Sequence, residues 1–482
     1  MSEDTGSNTN RSHHVSNRSR RKFLTTAGAM GAVLAAGCGG GGDGNGGNGG
    51  DGGDGGDGGE GGGTVTPGNG GGSDSGTLEM NLFTGQFSSD NMDAFNQYVS
   101  EWEEQNDGWS IDVTETPQAG DVIQTERSRF EAGNPFDFMT VMGVAAFNFA
   151  ANDYLAGLDS FMDDSSLSRD DFAQTDLIQA ILNASGPFNG TMQVIPMMIG
   201  HWGALYYHAG HVEEAGYDPM SPQDYLSTPE GMLQTARDIK DAMGVRPLGF
   251  SGADHIHTGL QFYGHAWSRG DVNATVIDGE PQYTTDEFMG AAELYQTMSE
   301  EELMPQGTLS NNAIDSRNLM AEGQTSMYTI GSWESSILKE ESDIEFGITY
   351  VPTANDADPS GFGGSPTWGI AKDISDERQQ KSWSFLEYIM TPERQAEWSG
   401  LVPSLSTAWD SYFEGYTDGL GRDVGQVFQD QISNSGWPYL SANVGTINSI
   451  TQSAVQAIIN GNKSPQEAME DANEQARQDA IE

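Results

Sequence analysis

The sequence predicts an α/β protein whose folded body divides into two lobes. Near the start of that body, strand and helix patterns alternate, an order that produces a mostly parallel sheet with helices on its faces. The chain has 482 residues, and removing the first 76 leaves about 406, more than one core of ordinary size usually holds. The patterns also show no repeat period, so two α/β lobes are the simplest arrangement.

The first lobe begins with a regular succession of elements. Apolar and polar residues alternate over 78–82, which predicts a strand, and an apolar stripe at helical spacing over 92–102 predicts a helix. A second strand is expected at 111–113, a second helix at 122–132 and a third strand at 136–141. Three strands separated by helices indicate parallel pairing at this end of the chain.

The rest of the chain is richer in helix. Helical patterns cover 230–243, 286–298, 380–389, 454–459 and 464–480. Ser464 followed by Pro465 is a favourable helix start, because proline at the first helical position loses no hydrogen bond.

Residues 1–38 have the pattern of an export signal. Arg20 and Arg21 precede an apolar run over 27–36, which is too short to span a bilayer core of about 30 Å. Paired arginines at this place resemble a twin-arginine signal. The small residues before Cys38 resemble a lipobox, in which the cysteine is lipidated. A buried, unused thiol is the less favoured alternative for Cys38.

Residues 39–76 predict a flexible tether. They contain 23 Gly and several acidic residues, a composition that cannot bury a core. Their Gly-Gly-Asp triplets lack the apolar residue that each turn of a calcium-binding β-roll needs. A lipid anchor followed by a tether places the folded body just outside a membrane.

The net charge of the chain restricts the kinds of partner that it can bind. The chain has 21 Lys+Arg against 71 Asp+Glu, a formal net charge of −50. Nucleic acid and anionic membrane surfaces are therefore excluded as electrostatic partners. Such acidity is typical of halophilic proteins, whose carboxylates keep the surface hydrated in concentrated salt. Binding of cations by these carboxylates is the less favoured alternative.

No motif for catalysis or for a cofactor is found. Phosphate loops and the His-Glu-x-x-His zinc motif are missing. The segment 249–252 falls short of a nucleophile elbow, because Ala253 stands where the last glycine belongs. His255 and His257 form a lone His-x-His, a weak metal signal, and the single cysteine excludes an intramolecular disulfide. We therefore expect neither a cofactor nor a metal, and no enzyme.

Several segments resemble one known family. Residues 194–208 are similar to the "IP…LYYN" strand of the maltose-binding-like extracellular solute-binding proteins (family 1) of ABC importers, with His208 where Asn is usual. Residues 211–217, 319–333 and 363–371 resemble three further motifs of that family in the same order. The family's "TWdEf" motif is altered here.

The resemblance implies a periplasmic-binding-protein-like fold of type II, with a hinge and a ligand cleft between the lobes. Lobe 1 would hold 77–200 and 353–401, and lobe 2 would hold 201–352 and 402–482. The implied function is capture of a sugar or oligosaccharide and its delivery to a membrane permease. The protein would be a monomer, lipid-anchored on the outer face of the cell membrane.

The expected site combines aromatic platforms with hydrogen-bonding groups. A sugar ring has an apolar C–H face, which indole rings contact, and a hydroxyl rim, which amides, carboxylates and imidazoles bind. The expected platforms are Trp202, Trp333 and Trp368, followed by Trp267 and Trp437. The expected polar groups and the neighbouring glycine are Gln86, His201, Asp254, His255, Glu334 and Gly364. Core packing is the alternative for each Trp, and a solvated loop for Asp254 and His255.

Two other functions stay open at this point. The same fold could bind a polyamine, a peptide or a polyol-phosphate. A secreted glycoside hydrolase is the least favoured alternative, since it needs a matched acid and nucleophile in one cleft.

Overall fold

The computed structural model describes residues 75–183, 188, 190–364, 366–414, 420 and 424–481, with side chains left undescribed at 144, 176 and 202. The predicted export signal with Cys38 lies outside the described residues, as does the tether up to residue 74. The first strand begins directly afterwards, at Gly76.

The strands alternate with helices at the start of the chain, as the sequence predicts. The strands are β1 (Gly76–Phe83), β2 (Trp109–Thr116), β3 (Phe138–Val141), β4 (Val194–Pro196), β5 (Met198–His208), β6 (Val276–Ile277), β7 (Glu280–Pro281), β8 (Met327–Gly331), β9 (Phe346–Tyr350), β10 (Phe362–Gly364), β11 (Thr367–Ile370) and β12 (Val402–Pro403).

Each segment that carries a helical pattern in the sequence lies within one of the longer helices, apart from residues 132, 464 and 480 at the ends. The helices are α1 (Ser89–Gln105), α2 (Ala119–Glu131), α3 (Gly143–Ala151), α4 (Asp159–Asp163), α5 (Asp176–Leu182), α6 (Ala209–Glu214), α7 (Gln223–Leu226), α8 (Pro229–Met243), α9 (His255–Trp267), α10 (Asp286–Glu300), α11 (Ala313–Ala321), α12 (Glu334–Glu341), α13 (Asp376–Ile389), α14 (Pro392–Trp398), α15 (Trp409–Glu414), α16 (Val424–Ser433), α17 (Val444–Ile459) and α18 (Pro465–Asp479).

The first sheet has the strand order β2-β1-β3-β11-β4. Strand β1 runs parallel to β2 and β3, whereas β11 is antiparallel to β3 and β4. The alternating residues Leu78, Met80 and Leu82 are fully buried, which accounts for the period of two in the sequence. Because β1, β2 and β3 are parallel, their carboxyl ends meet at one edge of the sheet, where open α/β sheets place ligands.

The second sheet is built around the long strand β5. Its first residues pair with β12 and β10, and its last residues pair with β8 and β9, all antiparallel. Strand β10 therefore belongs to the second sheet, whereas residues 353–401 are expected in lobe 1. The chain passes between the two sheets at three places: between β4 and β5, between β10 and β11, and just before β12.

Helix α8 shows how local sequence sets a boundary. The Thr228 side chain accepts a hydrogen bond from the Gly231 amide, and Pro229 occupies the first turn. The helix ends at Gly244, whose φ of 72° is left-handed and favours glycine. These caps give nearly the bounds that the sequence predicts.

The described part of the chain shows neither a membrane-spanning helix nor a cluster of metal ligands. There, no helix combines the length and apolar character that crossing a membrane requires. Nor do its His, Cys, Asp and Glu side chains gather in groups of three or more that could hold a metal ion.

Candidate ligand-binding cleft

A cavity of about 210 Å³ lies between the two sheets. One wall is formed by residues that follow the carboxyl ends of β1, β2 and β3, including Gln86, Gln118 and Met142. The opposite wall comes from the first turns of α9 and α11 and from the segment after β8. The cavity thus lies at the sheet edge where the parallel strands end.

Gln86 supplies a hydrogen-bond acceptor on the first wall. It follows β1 through Thr84 and Gly85 and lines the cavity. Its Oε1 is buried and has no hydrogen-bond partner among the described residues. Since a buried acceptor without a partner is costly, this oxygen is suited to a donor from a ligand.

Asp254 and His257 line the wall formed by α9. The Asp254 carboxylate caps the helix: Oδ1 accepts from the His257 amide at 2.8 Å, and Oδ2 lies 2.6 Å from His257 Nδ1. Burial raises the pKa of the Asp254 carboxyl, but the hydrogen bonds and charge of His257 outweigh burial and leave that pKa below its ordinary value. Asp254 is therefore engaged with its own helix and orients the His257 ring.

Trp333 is the indole that precedes α12. It lines the cavity and is 3 % exposed. A Cβ built on Gly331 would lie 1.7 Å from its ring, so glycine is required for this close approach. The Gly331-Ser332-Trp333 sequence therefore positions the indole by removing a side chain beneath it.

Arg317 and Glu334 form an ion pair at the same wall. Arg317 Nε donates to Glu334 Oε1 at 2.6 Å, and Nη2 donates to Oε2 at 3.2 Å. Arg317 lines the cavity, whereas Glu334 is fully buried behind it. Burial lowers the pKa of Arg317, but the charge and hydrogen bonds of Glu334 outweigh burial and raise it above its ordinary value.

A second aromatic wall is built around Trp437. Its ring lies 4.6 Å from the Phe362 ring and 6.1 Å from the Phe147 ring, measured between centroids. Trp437 Nε1 donates to the Tyr439 carbonyl at 3.0 Å, which fixes the indole. Gly364 lines the cavity beside Phe362. Trp333 and Trp437 thus present two indoles to one cavity.

The family model described as bacterial extracellular solute-binding protein matches residues 97–414. This chain belongs to that family. The expected family resemblance is confirmed, and such proteins bind their solutes outside the cytoplasmic membrane.

Relatives and solved structures agree with this assignment. A binding protein of Brucella abortus (strain 2308) is 24% identical over 421 residues, which cover 85% of this chain and 94% of the relative. The substrate-binding protein Lmo0181 of Listeria monocytogenes, solved in complex with cycloalternan, has a TM-score of 0.69 at 16% identity, covering 85% and 100% of the two chains. UgpB of Mycobacterium tuberculosis, in complex with glycerophosphocholine, has a TM-score of 0.67 at 16% identity, covering 84% and 99%. The two-lobed fold of periplasmic binding proteins is therefore confirmed.

Five of the residues that the sequence predicts lie together at the cavity of this solute-binding protein: Gln86, Asp254, Trp333, Gly364 and Trp437. Two others lie next to it. Glu334 is one contact behind the lining, because it binds Arg317, and His255 is a half-buried neighbour of Asp254 that does not line the cavity. The structure therefore corrects their expected place: both side chains lie beside the cavity and not in its lining.

Three predicted residues are core residues in the structure. Trp368 is 0 % exposed on β11, between β3 and β4, with its ring 6.2 Å from that of Trp398. Trp267 is buried and stacks on Tyr263 at 5.0 Å. His201 is buried on β5, where burial lowers its pKa to about 3. All three side chains pack inside the lobes and none lines the cavity, so the structure corrects their expected placement there. The Trp202 side chain lies outside what the structure describes.

The sequence does not predict Arg317 or His257 in the cavity lining, and it marks His257 only in a weak metal motif. Arg317 lies 17 residues before Glu334, on a different helix, and nothing in the local sequence signals their contact. His257 could have been found, because Asp254 three residues earlier has the spacing of a helix cap and its third residue.

Proposed function

We propose that this solute-binding protein captures a sugar or oligosaccharide outside the cell and delivers it unaltered to the permease of an ABC importer. The observation that carries the proposal is the pairing, in one cavity between the two sheets, of the Trp333 and Trp437 indoles with the free Gln86 acceptor. Indoles contact the C–H face of a pyranose, and amide and imidazole groups bind its hydroxyls at about 1 kcal/mol per net hydrogen bond. The complex of the Listeria protein with cycloalternan supports the same ligand class.

A polyol-phosphate is the second candidate. It is favoured by one observation, the presence of Arg317 in the lining, and by the likeness to the M. tuberculosis protein solved with glycerophosphocholine. Two carboxylates oppose it, however: Glu334 already neutralises Arg317, and Asp254 also lines the cavity. A phosphate would therefore meet a compensated guanidinium and a second negative charge, which favours a neutral sugar.

The ligand class is tested by thermal unfolding in concentrated salt with a panel of mono- and oligosaccharides, polyamines, peptides and glycerol 3-phosphate. A ligand of the folded state raises its stability by mass action, so we expect a higher unfolding temperature with at least one sugar. A shift with glycerol 3-phosphate alone would favour the second candidate. Release of free sugar from the incubated oligosaccharides would instead support the hydrolase alternative.

We further propose export by the twin-arginine route and attachment through a lipidated Cys38, with residues 39–76 as the tether of a monomer. This proposal rests on the arginine pair, the apolar run and the cysteine. The lipidated cysteine would have to carry two acyl chains, because a single chain attaches a protein only weakly to a membrane. The test is mass spectrometry of the membrane fraction together with the Cys38→Ala variant. If the full-length Cys38→Ala variant is found in the membrane fraction in the same amount as the parent protein, lipid anchoring through Cys38 is contradicted.

A further inference from the structure

The Arg317–Glu334 pair differs from the other ion pairs of the described residues in its burial and its place. Glu334 is 0 % exposed and Arg317 is 8 % exposed, yet Arg317 lines the ligand cavity. Two nitrogens of the guanidinium each donate a hydrogen bond to a different oxygen of the Glu334 carboxylate, at 2.6 and 3.2 Å. Such a bidentate contact holds the guanidinium plane in one orientation.

The pair also decides whether a ligand meets a free positive charge at this wall, beside the Asp254 carboxylate and its partner His257. Arg317 is the one Lys or Arg among the described cavity-lining residues. An uncompensated arginine at low dielectric is a strong phosphate ligand, because its planar fork matches two phosphate oxygens. Glu334 occupies that fork from behind and cancels the charge at hydrogen-bond distance. What remains toward the cavity is a neutral pair that can still donate N–H groups to hydroxyl oxygens.

We infer that Glu334 is the specificity-determining residue for ligand charge: by neutralising Arg317 it makes the cleft accept uncharged hydroxylated ligands and reject phosphate esters. This inference rests on the proposed sugar-binding function. Glu334 acts through Arg317 and does not line the cavity, so it is a positioning residue in this site.

Glu341 offers a matched control. Its Oε2 lies 3.6 Å from Arg317 Nη1, but its side chain is 55 % exposed. Solvent and salt screen an exposed charge far more than a buried one, so Glu341 contributes little to the field in the cavity. Glu334→Gln and Glu341→Gln each remove one negative charge. Comparing the two therefore distinguishes the effect of a buried charge behind the cavity from the effect of net charge on ligand affinity.

The experiment measures the affinities of the full chain, Glu334→Gln, Glu341→Gln and the double variant Arg317→Gln/Glu334→Gln. The ligands are glycerol 3-phosphate and the sugar that gives the largest thermal shift. We expect Glu334→Gln to gain at least about tenfold in affinity for glycerol 3-phosphate, as for one charge-assisted bidentate contact. Glu341→Gln should gain nothing, and the double variant should lose the gain because the guanidinium is gone.

A folded Glu334→Gln protein with no gain for glycerol 3-phosphate would overturn the inference, and so would an equal gain in Glu341→Gln. If the Gln variant unfolds, Glu334→Ser leaves room for water at the guanidinium and allows the same measurement. Unfolding of both would assign the pair a structural role and also overturn the inference. Failure of the proposed function looks different: the full chain would bind no sugar, whatever the variants do with glycerol 3-phosphate.

Discussion

Two tryptophans with similar local sequences occupy different places in this protein: one lines the cavity and the other lies in the core. Trp333 and Trp368 occupy similar glycine-rich surroundings in the sequence, and both are expected at the ligand. Only Trp333 lines the cavity, while Trp368 is fully buried on a central strand. The sequence could name both indoles, but it could not show on which face of β11 a side chain lies, because that depends on strand pairing.

The matched variants Trp333→Phe and Trp368→Phe test this distinction. Trp333→Phe should weaken sugar binding about tenfold, since a smaller ring covers less of the sugar face. Trp368→Phe should leave that affinity unchanged and lower the free energy of unfolding by about 1–3 kcal/mol, because it leaves a cavity in the core. Titration by calorimetry and denaturant unfolding measure the two effects. Weaker sugar binding by a stably folded Trp368→Phe protein would contradict this assignment.

At the scale of the element, helix α2 carries a buried acid against the first sheet. Glu126 Oε1 accepts from Asn81 Nδ2 at 3.0 Å, and Asn81 Oδ1 accepts from Thr116 Oγ1 at 2.8 Å. Burial raises the pKa of the Glu126 carboxyl well above its ordinary value, and the Asn81 hydrogen bond offsets this only in part. The sequence predicts the helix over 122–132 by its period, but period alone cannot tell that a glutamate faces the sheet.

Replacing Glu126 should therefore stabilise the protein in a pH-dependent way. Because its folded pKa is raised, the folded state binds up to one more proton than the unfolded state between pH of about 4.3 and the folded pKa. Stability therefore falls as the pH rises through this window. Glu126→Gln removes this dependence, so we expect a gain of about 1–2 kcal/mol at pH 7 and a smaller difference at pH 4. Glu131→Gln, at the exposed end of α2, is the control for net charge and should change little. Equal unfolding curves for Glu126→Gln and the parent at pH 7 would contradict the prediction.

At the scale of the whole molecule, strand pairing decides what local patterns leave open. The alternation of strands and helices predicts the parallel part of the first sheet, because β1, β2 and β3 each follow from a local pattern of apolar residues. The second sheet depends on β5 pairing with strands as distant as β10 and β12, which no local period indicates. The same applies to the cleft: Gln86 and Arg317 come from opposite walls, more than two hundred residues apart in the chain.

One contact joins the two walls outside the cavity and bears on closure. Ser89 Oγ, in the first turn of α1, donates to Glu340 Oε1 of α12 at 3.0 Å. Helix α1 packs on the first sheet, whereas α12 follows β8 of the second, so the bond spans the cleft. The carboxylate also lies at the positive end of the α1 dipole, an interaction of about 0.3–1 kcal/mol at an exposed site.

If closure holds the ligand, weakening this contact should speed its release. Ser89→Ala removes the donor without changing charge, and we expect sugar to dissociate about two- to fivefold faster, in line with an exposed hydrogen bond of about 0.5–1 kcal/mol. Ser100→Ala on the same helix is the control, because its hydroxyl donates only to the Asn96 carbonyl within α1. Stopped-flow tryptophan fluorescence measures the dissociation rates. Equal rates in the two variants would mean that Ser89 and Glu340 touch without contributing to the closed state, and that the ligand alone holds the lobes together.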